Sequence, residues 1–411
     1  MRKASIETNS STRKKVIYFL ILPAALFFAL AGPLVLFGIG TESDFIQFYA
    51  AGRILRGHHA ENIYDYSRER EVQLQFTNHT QPMVYNHPPF EAILFLPLSY
   101  LPFRAAFLAW TYACLFLFGA AMYAVRDYIE ELHFYEFLLG LSFLFFPFLA
   151  ALLQGQDSML VLFSYALAFR ALKRRHEFKA GLILSIVAIK PQLLLPFLAL
   201  SVLGVSRRFA AGLAAGCIAL VTLSLALVGG ASTLGYIALL INMNSVAGQH
   251  TFHITPSAMP NLRGIAFCLL SSILQPMPLN ILIILLTVSL IVASMKSCKF
   301  ALINGSGAFA LSFALALLLT LILSFHLLLH DVCLAVLPLL IMLNSSHAKR
   351  LNNSKFLLYG SAISFFVIAA VLATADSRHY CLLFVPLAGL AVSNWLLNGD
   401  AGANSAVAAA N

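Results

Sequence analysis

Three observations predict an all-α polytopic membrane protein. Hydrophobic residues make up 60% of the 411-residue chain and charged residues only 10%, where a soluble domain carries about 25% charged residues. Mean hydropathy is +0.85. Apolar runs near the length of about 20 residues needed to cross the hydrocarbon core recur along the chain, with short Lys/Arg clusters between them. That spacing assigns the formal charge of +9 to cytoplasmic loops and excludes a nucleic-acid-binding role.

The elements follow in order. A basic start, residues 1–15, is expected in the cytoplasm ahead of a first helix over about 16–39, longer than the roughly 7–15 residue core of a cleavable signal peptide. A single transmembrane domain is expected over 16–397, with a first extracytoplasmic loop at 41–104. Two interfacial helices are predicted in that loop: the amphipathic stretch Phe45–Leu55, and the apolar run between Phe90 and Phe103, too short for a span and interrupted by Pro97. About twelve transmembrane helices, some short or broken, then alternate direction so that basic clusters face inward. They run over about 105–125, 135–153, a descent to Arg170 and Lys173, a pair broken at Lys190–Pro191, 209–229, 277–295, 306–324 and three more before a cytoplasmic tail at 398–411. A polar outer loop is expected from Gly230 to Arg263. In this topology 18 of the 26 Lys/Arg collect on the inner side.

The break at Lys190–Pro191 follows from cost. A lysine at mid-membrane costs about 2.5–3.5 kcal/mol, and proline cannot continue the backbone ladder, so the step is expected to face a polar cavity. The other isolated polar residues, Asp44, Gln156, Asp157, His326, His330, Asp331 and Arg378, fall at the outer ends of helices. One outward-facing site explains that placement.

Asp44 stands where the first helix meets water, with Phe45, Phe48 and Tyr49 beside it as desolvating and sugar-stacking faces. A carboxylate there suits a general base for an acceptor hydroxyl; an acidic helix cap is the structural alternative. No Asp-x-Asp, HExxH or P-loop occurs. A phosphate leaving group therefore needs cations, with Lys190, Arg263, Arg378, His326 and His330 as candidates. No cofactor is expected, with a metal on Asp44, Asp157 or Asp331 kept as an alternative. His326 and His330, four apart, are expected on one helix face beside Asp331. The six cysteines form no CxxC pair and read as packing residues.

SDFIQFYAAGRIL, NIYDY, YNHPPFEAILFLPLSYLP, GQDSMLVL, AGLILSIVAIKPQLLLP, MPNLRG and HLLLHD, in this order between residues 43 and 331, together resemble glycosyltransferase family 87, membrane enzymes of the GT-C fold. The resemblance implies Asp44 as catalytic base and inversion at the anomeric carbon. It also implies a polyprenyl-phosphate sugar donor, mannose foremost, and a lipid or glycan acceptor outside the bacterial cytoplasmic membrane. By the same carry-over Gln156, Lys190, Arg263, His326, His330 and Asp331 line the donor pocket. Phe45, Tyr49, His87, Asp157, Gln192, Asn261 and Arg378 complete the expected substrate-binding set. Asn86 and His87 stand before the Pro-Pro pair, where the family favours a nearby tyrosine. A lipid or solute carrier and a glycan ligase are the competing readings; the absence of inverted repeats and of a large late outer loop weighs against them.

Overall fold

A computed structural model describes residues 43–57, 59–77, 83–128, 145–245, 252, 254–299, 307–344 and 353–410. The expected cytoplasmic start, the helix at 16–39 and the 135–144 part of the third helix lie outside the described residues. Every regular element among the described residues is helical. Among the described residues the first loop contributes α1 (Phe45–Arg56), α2 (Tyr66–Gln73) and three 3-10 turns, Ala60–Asn62, Pro89–Leu94 and Leu98–Tyr100, the last two on either side of Pro97. There follow α3 (Phe103–Val125), α4 (Phe146–Leu153), α5 (Ser158–Lys173), α6 (Glu177–Leu184), α7 (Pro191–Ser201) and α8 (Arg207–Asn244). The remainder is α9 (Leu262–Leu270), α10 (Pro276–Ser294), α11 (Gly307–Leu323), a 3-10 segment Leu329–Ala335, α12 (Val336–Leu343), α13 (Asn353–Leu372) and α14 (Phe384–Ala410). Side-chain acceptors close the open N–H groups of several starts: Asp65 for α2, Ser206 for α8 and Asn261 for α9.

Against the expected twelve crossings, four helices among the described residues are long and apolar enough to span a bilayer: Phe103–Tyr128, Arg207–Met243, Pro276–Ser294 and Ser377–Asn398. Shorter apolar helices stand between them. The core lies around α11 and the Leu329–Leu343 stretch, buried on every face through Phe313, Leu317, Leu318, Leu334 and Leu337. The outer helices do the opposite. Phe116 on α3, Ile218 on α8, Leu285 and Val292 on α10 and Ile363 on α13 are exposed. A belt of that size is an aggregation liability in water and a matched surface in lipid, so the chain is membrane-embedded.

Helix contacts use small residues where backbones meet. A Cβ on Gly181 of α6 would run into the backbone of Phe209 and Leu213, and one on Gly212 of α8 into the backbone of Phe178. The two glycines thus let α6 and α8 approach more closely than any larger side chain allows.

The structure departs from the sequence reading at three places. α1, expected with one face open to water, is enclosed by protein from Phe45 to Ile54 apart from Arg53. Phe48 stacks on Phe95 at 4.7 Å on one side, and Phe45 meets Phe107 of α3 at 5.4 Å on the other. The loop from Gly230 begins as helix, because α8 bends at Gly229 (φ 79°) and resumes to Asn244. Its second half leans on the first loop, with Tyr236 stacked on Tyr64 at 6.0 Å and the Ser232 hydroxyl donating to Glu61 O. The tail expected at 398–411 continues α14 as far as Ala410; its run of alanines favours helix.

α2 fixes the strand-like segment that leads into the site. Gln73 clamps Met83, its amide donating to Met83 O at 2.7 Å and accepting from Met83 N at 2.9 Å, and Glu69 accepts from Tyr85 N at 3.1 Å. Burial pushes the Glu69 carboxyl up to about 8, against the pull of the Tyr85 N–H. The folded state therefore holds this proton more tightly than the unfolded chain, and the resulting stabilisation is present at low pH and lost between about 4.5 and 8. We expect Glu69→Gln to raise the thermal unfolding temperature at pH 9 by an amount worth a few kcal/mol, and to leave it nearly unchanged at pH 4. Unfolding monitored by tryptophan fluorescence in detergent checks this.

Candidate active site

Helix ends distant in sequence converge on a cavity of about 1190 Å³. Asp44 and Gln47 from α1, Asn86 and His87, Gln156, Lys190 and Gln192, and His326, His330 and Asp331 give it a polar wall. Leu195, Leu240, Met243, Phe252, Ile254 and Leu328 give it an apolar one.

Asp44 occupies the position before α1 but makes no capping hydrogen bond. Its Oδ2 instead accepts from Gln156 Nε2 at 2.6 Å, across 112 residues of chain. Burial raises its pKa, with Gln156, Lys190 and His87 pulling the other way. Because the amide donates, Asp44 presents an acceptor to the cavity.

The turn Gly155–Asp157 aims two of these groups. Gly155 has φ +65°, and a Cβ there would collide with Phe45 and crowd Phe107, so only glycine fits this left-handed position against α1. Its carbonyl accepts from Trp110 Nε1 at 2.9 Å. The turn sends Gln156 to Asp44 and Asp157 to the opposite side, where α5 begins.

There Lys190 Nζ lies 2.8 Å from Asp157 Oδ1 and 2.5 Å from Asp331 Oδ1, all three side chains almost wholly buried. Ser158 Oγ donates to Asp331 at 2.8 Å and sits 3.1 Å from Lys190 Nζ. The chain does break at Lys190 (φ −125°, ψ 78°), between the 3-10 turn Ser185–Ile189 and α7. Pro191 is favoured at the first position of the new helix. His330 Nδ1 lies 2.9 Å from Gln154 Oε1, which assigns the proton to Nδ1 and turns Nε2 toward Asp331 Oδ2 at 3.7 Å.

Of the expected site residues, Asp44, His87, Gln156, Lys190, Gln192, His326, His330 and Asp331 line the cavity. His326 and His330 do so without sharing a helix face, because His326 precedes the 3-10 segment. The remaining expected residues lie elsewhere. Phe45 and Tyr49 are packed behind the wall, and the Tyr49 hydroxyl donates to Leu101 O at 2.7 Å. Asp157 stands behind Lys190. Asn261 caps α9 and donates to Ser324 O at 2.7 Å. Arg263 is buried away from the cavity lining, its guanidinium carbon 4.0 Å over the Phe325 ring. Arg378 is exposed and paired with Asp376 at 2.8 Å.

Two features escaped the sequence reading. Glu91 is buried beside the site, its Oε2 2.8 Å from His87 Nδ1; the signal was a lone acid inside an apolar run. Cys268 and Cys381, read as packing residues, form a disulfide across 113 residues, a pairing that spacing cannot reveal.

Removing Lys190 leaves two buried carboxylates without a counter-charge. Lys190→Met is expected to cost about 3–5 kcal/mol of stability, while Arg378→Ala, at an exposed pair, changes the unfolding temperature little. Thermal unfolding of the two purified variants checks the contrast.

Comparison with curated proteins and with solved structures found no match. A family model does match: residues 85–324, more than half of the chain, fit glycosyltransferase family 87. This stretch runs from Tyr85, beside the cavity-lining Asn86 and His87, through the Gly155–Asp157 turn, Lys190 and Arg263, to Ser324. The chain belongs to glycosyltransferase family 87.

Proposed function

We propose that the protein is an inverting glycosyltransferase that moves a sugar, mannose foremost, from a polyprenyl phosphate to a hydroxyl of a lipid or glycan acceptor at the outer face of the cytoplasmic membrane. The observation that carries this reading is the Asp44 carboxylate, held by Gln156 as an acceptor in the same cavity as Lys190 and three imidazoles. In the reaction the acceptor O–H gives its proton to Asp44, its oxygen attacks the anomeric carbon, and the bond from that carbon to the phosphate oxygen breaks. The lipid phosphate leaves with the electron pair. Inversion requires base and leaving group on opposite sides of the sugar. The apolar wall of Leu195, Leu240, Met243 and Ile254 suits the first isoprene units of a lipid donor.

Support for an outward-facing cavity comes from the disulfide. Such bonds persist in oxidising compartments and are rare in the cytosol, and Cys381 lies four residues from Ser377 on the cavity wall.

Asp44→Asn keeps the shape and removes the base. It is expected to lower kcat by about a hundred- to ten-thousand-fold with the protein still folded, as measured by transfer of radiolabelled sugar from polyprenyl phosphate in membranes. Undiminished turnover would remove Asp44 from the role. The raised pKa of Asp44 sets a second expectation. The base acts ionised, so kcat/KM falls as pH drops through that pKa, and this acid limb lies above the ordinary carboxylate range and is missing from the residual activity of Asp44→Asn. Sidedness has its own check: in intact cells, a membrane-impermeant maleimide is expected to label Cys268 only after an impermeant reductant has opened the disulfide.

A further inference from the structure

Among the described residues that line the cavity, Lys190 is the only lysine or arginine, and its ammonium is already shared by Asp157 and Asp331. Just behind the cavity wall an imidazole and two buried carboxylates crowd together. His87 Nδ1, one oxygen of Glu91 and one of Asp157 lie within 4.8 Å of one another. His87 Nδ1 is 2.8 Å from Glu91 Oε2 and 3.7 Å from Asp157 Oδ2. His87, Glu91 and Asp157 are exposed by only 7%, 1% and 0%. Among the described residues, neither oxygen of Glu91, neither oxygen of Asp157 and not His87 Nδ1 makes an aligned hydrogen bond, although His87 contacts Glu91 and Lys190 contacts Asp157 as ion pairs at 2.8 Å. Buried carboxylate oxygens left in that condition carry a large desolvation cost. Tyr236 adds another: its hydroxyl has no hydrogen-bond partner among the described residues and lies within Coulombic reach of both Glu91 and Asp157.

The geometry points to a divalent cation bound by His87 Nδ1, Glu91 and Asp157 Oδ2, a metal site behind the cavity wall. Tetrahedral coordination with bonds of about 2.0–2.2 Å places ligand atoms about 3.3 Å apart, a value that the 2.8 and 3.7 Å separations bracket. Lys190 occupies the other oxygen, Oδ1, of Asp157, so the cation does not displace it. Lys190 and Asp331 become the outer partners that hold Asp157 in orientation, a usual support for a ligating carboxylate. Phe48, its ring 4.6 Å from that of His87, fixes the imidazole from the other side. One nitrogen and two carboxylates suit Mn²⁺ or Zn²⁺ better than the all-oxygen preferences of Mg²⁺ and Ca²⁺. His87 alone of the three lines the cavity, so the ion sits behind its imidazole and acts on the cavity through its charge.

The site stands on its own geometry. Only its consequence rests on the transferase reading: a dication beside Asp44 and Lys190 would supply the positive charge that a departing lipid phosphate needs and that Lys190, with two aspartates on it, lacks.

Mn²⁺ alone is the probe. The full-length protein, purified in detergent and stripped with EDTA, is titrated with Mn²⁺ while the free ion is counted by electron paramagnetic resonance, and spin-echo modulation reads nitrogen coupling to the bound ion. The expected result is one Mn²⁺ per chain with a ¹⁴N coupling that disappears in His87→Gln, and an affinity lowered by about 100-fold or more in Glu91→Gln. Asp376→Asn, at an exposed acid remote from the cluster, is expected to leave binding unchanged. Should a ligand variant fail to fold, the nitrogen coupling in the unaltered protein decides alone. Less than one bound ion at millimolar Mn²⁺, bound Mn²⁺ without nitrogen coupling, or equal affinity in a folded Glu91→Gln would overturn the site. None of these readouts involves sugar transfer, so loss of the metal site and loss of the transferase reading are told apart.

Discussion

Lys190 held between Asp157 and Asp331 is the contact on which the site is built. It ties together the break before α7, the start of α5 and the 3-10 segment before α12, with Lys190 and Asp331 141 residues apart and Ser158 and Asp331 173 apart in the chain. Three charges buried together would be costly singly. Assembled, with Ser158 satisfying Asp331 as well, they convert that cost into a fixed geometry, since taking any one away strands the others. The clamp also decides what Lys190 can do. An ammonium between two carboxylates is a poor receiver for a phosphate dianion, so the charge needed by a leaving group has to come in part from elsewhere.

The second constraint is steric. α1 passes so close to the Gly155 turn that no side chain fits between them, and the turn can therefore reach Asp44 with one side chain and Lys190 with the next. Gln156 and Asp157, adjacent in sequence, serve opposite ends of the site. The wall between them is one turn of backbone, held by Trp110 from α3. The aromatic layer of Phe45, Phe95, Phe103 and Phe107 keeps α1 dry and in register. The phenylalanines flanking Asp44 thus act through packing, not by stacking on a sugar.

Much of this was legible in the residues. A lysine followed by proline in an apolar run announces a break at a polar cavity, and an acid at the end of an apolar run points to the same cavity. Both sit in the site. Tertiary facts were not legible. Amphipathicity along Phe45–Leu55 reads the same whether the polar face meets water or, as here, a second layer of protein. Arg263 looked like a phosphate ligand by its charge, but it packs over the Phe325 ring and is not among the residues that line the cavity. Arg378 is drawn away by Asp376, two residues earlier. Glu91, hidden in an apolar run, and the Cys268–Cys381 bond depend on partners that no local pattern names. The helix after Gly229 was obscured by falling hydropathy, although Leu234, Ile237 and Ile241 keep helical spacing.

Under the proposed function the cavity is divided, with the base on one side of the sugar and the lipid phosphate on the other. A structure of the protein with a non-transferable donor, a polyprenyl phosphonate carrying the sugar through a methylene bridge, tests it most directly. The account predicts the anomeric carbon between Asp44 and the phosphonate, with the phosphonate toward Lys190 and His326 and the isoprene chain along Leu195, Leu240 and Ile254. A sugar with Asp44 and the phosphonate on the same face of the anomeric carbon, or a donor bound outside this cavity, would contradict it.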